Sequence, residues 1–310
     1  MVSKGKNRFK VWLAAIRAKF FLAGIPTVIL GAFVAYYESG FLDIGLFTLT
    51  VIGIVATMIG CYTFNEYYDY KSGVDVVIKP EHVTPFNAGS RVLPTGLLRP
   101  RDILIAGSIA WIAMLSIGLY LAWLRGTIIL ILMIIGTIAA LGYTTPPLKW
   151  AYRGLGEIMI GLSYGPIITI GSYAVQTGSL SLSPLIASVM PGFLIANVIL
   201  INEFPDYEAD KACGKKNLVV RLGKEKAVKV YFILFSLAYL SVAISVALGL
   251  MPPESLISLI TAPLAIKASL IAKKRYDSPR ELVAAMKNTI LIFVVSTTLL
   301  SISYIIARLL

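Results

Sequence analysis

The segment IVATMIGCYTFNEYYDYKSGVD, residues 54–75, passes from largely apolar side chains directly into Asn65, Glu66, Asp69 and Asp75. Its first half is suited to lipid and its second half is not. Ionisable groups at the edge of hydrocarbon are costly and are retained where they pair or do chemistry. The fold class and the candidate site both follow from this junction.

Continuous apolar runs recur along the chain at residues 13–37, 44–66, 103–124, 127–143, 156–175, 184–203, 228–249, 254–272 and 289–308. Runs of this length cross a hydrocarbon core of roughly 30 Å as helices. They lack the period-two alternation of barrel strands. The chain has 310 residues, of which 57% are hydrophobic and 14% charged, with a mean hydropathy of +0.82. A soluble domain carries about 25% charged residues. The expected fold is all-α and polytopic, with about nine transmembrane helices in one bundle forming a single domain over residues 1–310. Residues 1–10 are basic, but the apolar run behind them is too long for a signal-peptide core and reads as a retained span.

The basic residues orient the bundle. All but two of the 28 Lys and Arg lie in the amino-terminal stretch, in the loops after the second, fourth, sixth and eighth runs, or at their edges. Only Arg125 and Arg308 fall on the other side. This bias marks the basic side as cytoplasmic. The net charge of +12 is this bias rather than a nucleic-acid footprint. Two longer polar loops, residues 67–102 and 204–227, are expected to cap the cytoplasmic end. Cys61 and Cys213 suggest neither a disulfide framework nor metal spacing, and His82 reads as an ordinary loop residue.

The acidic junction occurs twice. NEYYD at 65–69 is matched by NEFPD at 202–206, at the same end of two runs. Residues four apart share a helical face, so Asn65 and Asp69 are expected to point together, as are Asn202, Asp206 and Asp210. Asp75 lies past Gly73 and must return from the loop. Opposed acids repel in apolar surroundings, and a divalent cation relieves them. Hard oxygen ligands suit Mg²⁺, which bridges carboxylates to phosphates. Arg17, Lys19, Arg91, Lys149, Arg153, Lys211, Lys215 and Lys216 surround the motifs, although orientation bias alone accounts for most of them. Carboxylates ringed by cations suggest a metal–phosphate site, and greasy helices behind it suit an isoprenoid diphosphate. Tyr62, Tyr67, Tyr68, Tyr143 and Tyr164 are candidates to line the cavity and steady an allylic cation, with Tyr143 favoured. A divalent-cation transporter is the alternative from another class. The acids at one membrane face, with none in mid-span, argue against it.

At these residues the sequence resembles the UbiA superfamily of intramembrane prenyltransferases. YTTPPLK at 143–149, RAKFFLAGIPTVILG at 17–31, GSRVLPTGLL at 89–98 and DYEADKACGKKNLVVRLG at 206–223 extend the likeness. Gly73 stands where many relatives have the second Asp of the first motif, and Asp75 supplies the acid, as in the menaquinone-type branch. The resemblance implies metal ligation by Asp69, Asp75, Asp206 and Asp210, with Mg²⁺ as cofactor. It implies that Asn65 and Asn202 join them in holding the diphosphate, with Arg91 and Lys149 assisting; the position of the remaining residues adds Arg17 and Lys211 as substrate contacts, and Asp69, Asp206 and Tyr143 are the catalytic candidates. The partners it implies are a polyprenyl diphosphate, an aromatic acceptor such as 1,4-dihydroxy-2-naphthoate, and membrane lipid. Other branches, making ether-lipid precursors, haem O or modified chlorophyll, are the alternatives within the superfamily.

Overall fold

The computed structural model describes residues 7–310, and all regular secondary structure in them is helical. The first six residues of the basic amino-terminal stretch lie outside the described residues. Eight helical segments are long and apolar enough to cross a membrane, and a ninth, Thr127–Leu141, is apolar but shorter. The protein is an integral membrane protein.

The first span is not one straight helix. Helix α1 (Arg8–Ala15) gives way to a 3₁₀ segment, Ala18–Ala23, before α2 (Ile25–Ser39). Arg17 at the break is left-handed, with φ of 50°. Helix α3 (Ile44–Ser72) starts where the Asp43 carboxylate accepts the Leu46 amide and ends where Gly73 turns left-handed. Its 29 residues reach about 43 Å at 1.5 Å each, well beyond the hydrocarbon thickness. Asn65, Glu66 and Asp69 therefore ride on the emergent last turns of a helix. One helical turn, α4 (Val74–Val77), follows and turns Asp75 inward.

Helices α5 (Pro100–Arg125) and α6 (Thr127–Leu141) form a hairpin through Gly126. The fifth span is α7 (Gly156–Leu162) and α8 (Ile168–Thr177), joined by a widened π turn, Ser163–Ile167, around Pro166. Proline lacks the amide a regular turn requires, and such widened turns concentrate at functional sites. Helix α9 (Leu182–Asn202) is the most enclosed span. The short helices α10 (Tyr207–Ala212) and α11 (Leu218–Leu222) lead to α12 (Lys224–Ala247). The eighth span opens as a 3₁₀ helix, Pro253–Thr261, and continues as α13 (Ala262–Arg275). The last, α14 (Pro279–Leu309), begins ten residues before its apolar run at 289–308 because Pro279 seats well at a helix start.

Packing divides the bundle. The main buried cluster joins α2, α9, α12, α13 and α14 through Leu194, Tyr231, Phe293 and Tyr304. Only small clusters hold α3, α5 and α6 together. The two polar loops meet over one end, where Ile78, Ala88 and Ala209 pack together.

Helices α2 and α8 cross closely at Gly31, where a Cβ would overlap the Thr169 carbonyl oxygen and the Ser172 side chain. Gly31→Ala should therefore cost about 1–3 kcal/mol, read as a lower unfolding temperature in detergent. Gly171→Ala, facing open space on α8, should not lower it.

Candidate active site

Beneath the two capping loops lies a polar chamber of about 150 Å³. Asn65, Asp69, Asp75, Asn202, Glu203 and Asp206 line it, opposed by Arg17, Lys19 and Lys215. Cys61, Tyr143, Ile160 and Tyr164 line both this chamber and a second one of about 170 Å³. The second runs between α3, α5, α6 and the α7–α8 span, and none of its lining residues is charged. Met58, Met114, Met133 and Met159 contribute to its wall. The π turn puts Tyr164 at the junction, its hydroxyl 3.2 Å from that of Tyr62.

Each acid in the polar chamber has its own surroundings. Asp69 accepts hydrogen bonds from Tyr152 at 2.8 Å and from Asn65 at 3.2 Å, and Lys215 stands 3.5 Å away. Asn65 and Asp69 thus share a face, as their spacing predicts. Asp75 is buried with one carboxylate oxygen unpartnered. Burial, then Asp69 and Glu66, push its carboxyl up to about 7. Gly89 passes so close that a Cβ would stand 2.6 Å from that oxygen. Asp206 accepts from Asn87 at 2.5 Å, and burial pushes its carboxyl up to about 6 against the opposing pull of Lys215 and Asn87.

The second motif departs from the expected helical face. Helix α9 ends at Asn202, Pro205 occupies the turn, and α10 starts at Tyr207. Asn202 and Asp206 still line the chamber, but Asp210 does not. Asp210 instead accepts from Asn217 at 2.7 Å and lies 3.6 Å from Lys215. Burial pushes the Asp210 carboxyl up to about 8. Burial disfavours the Lys215 ammonium, yet Asp210 and Asp69 outweigh it and hold Lys215 firmly charged.

The remaining candidates divide sharply. Arg17 reaches the chamber and pairs with fully buried Glu66 at 3.2 Å. Glu66 also accepts the Ser90 amide at 2.9 Å and the Ser90 hydroxyl at 2.6 Å, so its oxygens are committed. Arg91 donates to the Asp75 main-chain carbonyl from outside the lining. Lys149 sits 4.9 Å from the Tyr152 ring, again outside. Lys211 is exposed, 5.5 Å from the Tyr207 ring, and does not reach the chamber. Lys215 takes the place expected of it, because left-handed Gly214 returns the chain towards Asp210. Tyr152, Asn87 and Glu157 carry no spacing signal and emerge only in three dimensions. Glu203 lies in the lining beside Tyr143, and burial, then Glu157, push its carboxyl well above the usual range.

These oxygens suit a hard cation. Among the described residues, however, no three His, Cys, Asp or Glu side chains converge tightly enough to cage an ion alone. That arrangement fits Mg²⁺, which takes one or two carboxylates and completes its shell with water and phosphate oxygens. The unpartnered oxygens of Asp75 and Asn202 are available for such contacts.

The chain is 28% identical over 274 residues to the 2-carboxy-1,4-naphthoquinone phytyltransferase of Synechocystis sp., covering 88% of this chain and 85% of that one. It is 27% identical over 271 residues to the 1,4-dihydroxy-2-naphthoate octaprenyltransferase of Bacillus subtilis, covering 86% and 83%. Its fold matches the structure of a UbiA homolog from Archaeoglobus fulgidus bound to GPP and Mg²⁺. That match has a TM-score of 0.65 and 18% identity, over 94% of this chain and 99% of the other. The UbiA prenyltransferase family model matches residues 24–298. With that match spanning nearly all of the bundle, the chain belongs to the UbiA prenyltransferase family and is a prenyltransferase.

Proposed function

We propose that the protein transfers a polyprenyl group from its diphosphate to a ring carbon of an aromatic acceptor of the 1,4-dihydroxy-2-naphthoate class, working from the cytoplasmic side. The observation that carries this reading is the junction of the two chambers. One is lined by acids and cations, the other by methionines and aliphatic side chains, and Tyr143 and Tyr164 stand between them. A molecule with a diphosphate head and an apolar tail fits that pair. The two naphthoate-type relatives support the acceptor class. The uncharged second chamber weighs against an ion pathway.

Within this reading Arg17, Lys19 and Lys215 bind the diphosphate, and Asn65 and Asn202 orient it. Asp69, Asp75 and Asp206 are the metal-facing carboxylates, while Asp210 acts one step back by holding Lys215. When bound, Mg²⁺ supplies charge neutralisation to the departing diphosphate. Tyr143 and Tyr164 offer ring faces to the allylic carbon as positive charge builds there. Arg91 and Lys149 contribute indirectly, one by fixing the Asp75 backbone and the other by packing on Tyr152, which in turn holds Asp69.

Asp69→Ala and Asp206→Ala should each lower turnover at least ~10²-fold, the scale of losing a main electrostatic group. Glu81→Ala, exposed on the same loop, should be near neutral, and comparable losses at Asp69 and Glu81 would refute the assignment. Excess EDTA should abolish activity. The chamber acids have raised pKa values of about 6 at Asp206 and about 7 at Asp75. Below those values they are protonated and an ion must displace protons to bind. The Mg²⁺ concentration for half-maximal activity should therefore fall as pH rises from 6 to 8.

Ionisation ahead of bond formation has its own signature. A fluorine near the allylic carbon destabilises the cation but leaves the diphosphate unchanged. The fluorinated substrate should compete well and turn over slowly, each ~1.4 kcal/mol of added barrier costing tenfold. Unchanged turnover would point to direct displacement by the acceptor.

A further inference from the structure

Three cations line the polar chamber, and two of them are already answered by acids. Arg17 pairs with Glu66 at 3.2 Å, and Lys215 lies 3.5 Å from Asp69 and 3.6 Å from Asp210. Among the described residues the third, Lys19, makes no ion pair. Its ammonium donates to the Pro85 main-chain carbonyl instead. It stands 4.9 Å from the centre of the Phe20 ring and 5.9 Å from that of Phe86. One carbonyl acceptor leaves an ammonium with two protons to give. Lys19 is also exposed, which puts this group of side chains at the mouth of the chamber.

The local fold explains the grouping. Left-handed Arg17 breaks the first span into the 3₁₀ segment Ala18–Ala23, whose three-residue turn puts Phe20 and Ala23 on one face. Both line the chamber. Across the mouth, Pro85 and Phe86 sit in a turn closed by Asn87, whose side-chain oxygen accepts the Thr84 amide and hydroxyl at 2.7 Å each. The same Asn87 donates to Asp206 and so fastens the turn to the chamber below. Ile195, Val198 and Ile199 of α9 add an apolar wall. Phe20 also meets Tyr62 edge-on, with ring centres 6.4 Å apart, and Tyr62 reaches Tyr164 at the junction of the two chambers. Two aromatic rings, an apolar wall and an uncommitted cation suit a flat ring that carries an anionic group. Both naphthoate-type relatives are named for naphthalenes that bear a carboxyl group.

We propose that Lys19 selects the acceptor by its ring carboxylate, with Phe20 and Phe86 flanking the aromatic system. This rests on the transfer reading above and extends it to the group by which the acceptor is chosen. The reaction brings two anions together, a diphosphate and a carboxylate, and like charges so close repel. An ammonium between them gives one proton to each, so the cation that helps to hold the diphosphate also admits the acceptor. The carboxylate gains a charge-assisted hydrogen bond, roughly twice as strong as a neutral one. A lysine already paired with an acid could offer this only by breaking its pair. From the mouth the bicyclic ring extends inward past Phe20 towards Tyr62, and so towards the allylic carbon at the junction. An acceptor without the carboxylate keeps the ring contacts and loses only Lys19.

The test uses the full-length protein in oxygen-free nanodiscs with Mg²⁺ and geranylgeranyl diphosphate. Two acceptors are compared, 1,4-dihydroxy-2-naphthoate and 1,4-dihydroxynaphthalene, which lacks the carboxylate. The quantity read is the ratio of their kcat/KM values, naphthoate over naphthalene, in which any loss on the diphosphate side cancels. Lys19→Met should lower that ratio about tenfold or more, the scale of one lost hydrogen bond to a charged group. The change should come chiefly from a higher KM for the naphthoate. Lys19→Arg should keep the ratio close to that of the wild type. Phe86→Leu should lower kcat/KM for both acceptors alike. Calorimetric binding of the two acceptors to protein loaded with geranylgeranyl thiolodiphosphate makes the same comparison without turnover, and the ratio of Kd values should shift by the same factor. A wild type that prenylates neither acceptor overturns the transfer reading and the role of Lys19 with it. A wild type that does, with the ratio of Kd values unchanged in Lys19→Met, overturns only the role of Lys19.

Discussion

Repulsion between carboxylates crowded into one chamber is the constraint around which one end of this protein is arranged. Two unit charges 4 Å apart repel by roughly 4 kcal/mol at an effective dielectric of about 20. Several such pairs weigh against a membrane bundle, and most of the acids here are answered. Glu66 is answered by Arg17 and Ser90, Asp206 by Asn87, and Asp69 by Tyr152, Asn65 and Lys215. Asp75 keeps an unpartnered oxygen, beside which only a glycine, Gly89, has room to pass. The loops over the chamber therefore do more than cover it. From one loop, Asn87 and Ser90 donate hydrogen bonds to the acids Asp206 and Glu66 that stand beneath it.

The same economy explains why the bundle packs unevenly. Around α9, α12 and α14, buried hydroxyls bond one another or the helix backbone, as in Tyr231 with Thr289 and Thr261 with Ser296. In lipid, where apolar faces gain nothing by leaving hydrocarbon, packing and internal hydrogen bonds hold helices together. The half built from α3, α5, α6 and α8 keeps a cavity between its helices, walled partly by unbranched methionines that adjust to what they contact.

Much of this is legible in the sequence, and what is not has physical reasons. The spans show because hydrocarbon thickness imposes a length on them. The first motif shows because Asn65 and Asp69 sit four apart in an uninterrupted helix. The second reads less well because Pro205 separates α9 from α10, so helical phase no longer relates Asp210 to Asn202. Choosing Lys211 over Lys215 is the same failure: the turn at Gly214, not spacing, decides which lysine enters. Tyr152 reaches Asp69 from 83 positions away, and Glu157 reaches Glu203 from another helix. Such long-range pairings leave no local pattern.

The two N-E-x-x-D copies show how little a motif specifies by itself. In the first copy the helix continues, and its glutamate turns to Arg17 and the Ser90 loop, where it fastens the lid. In the second the helix stops at Asn202, and its glutamate is left at the chamber wall opposite another acid. One chemical pattern thus yields a structural clasp at one site and a buried glutamate in the chamber wall at the other. The difference comes from what stands opposite, a guanidinium in one case and a carboxyl in the other.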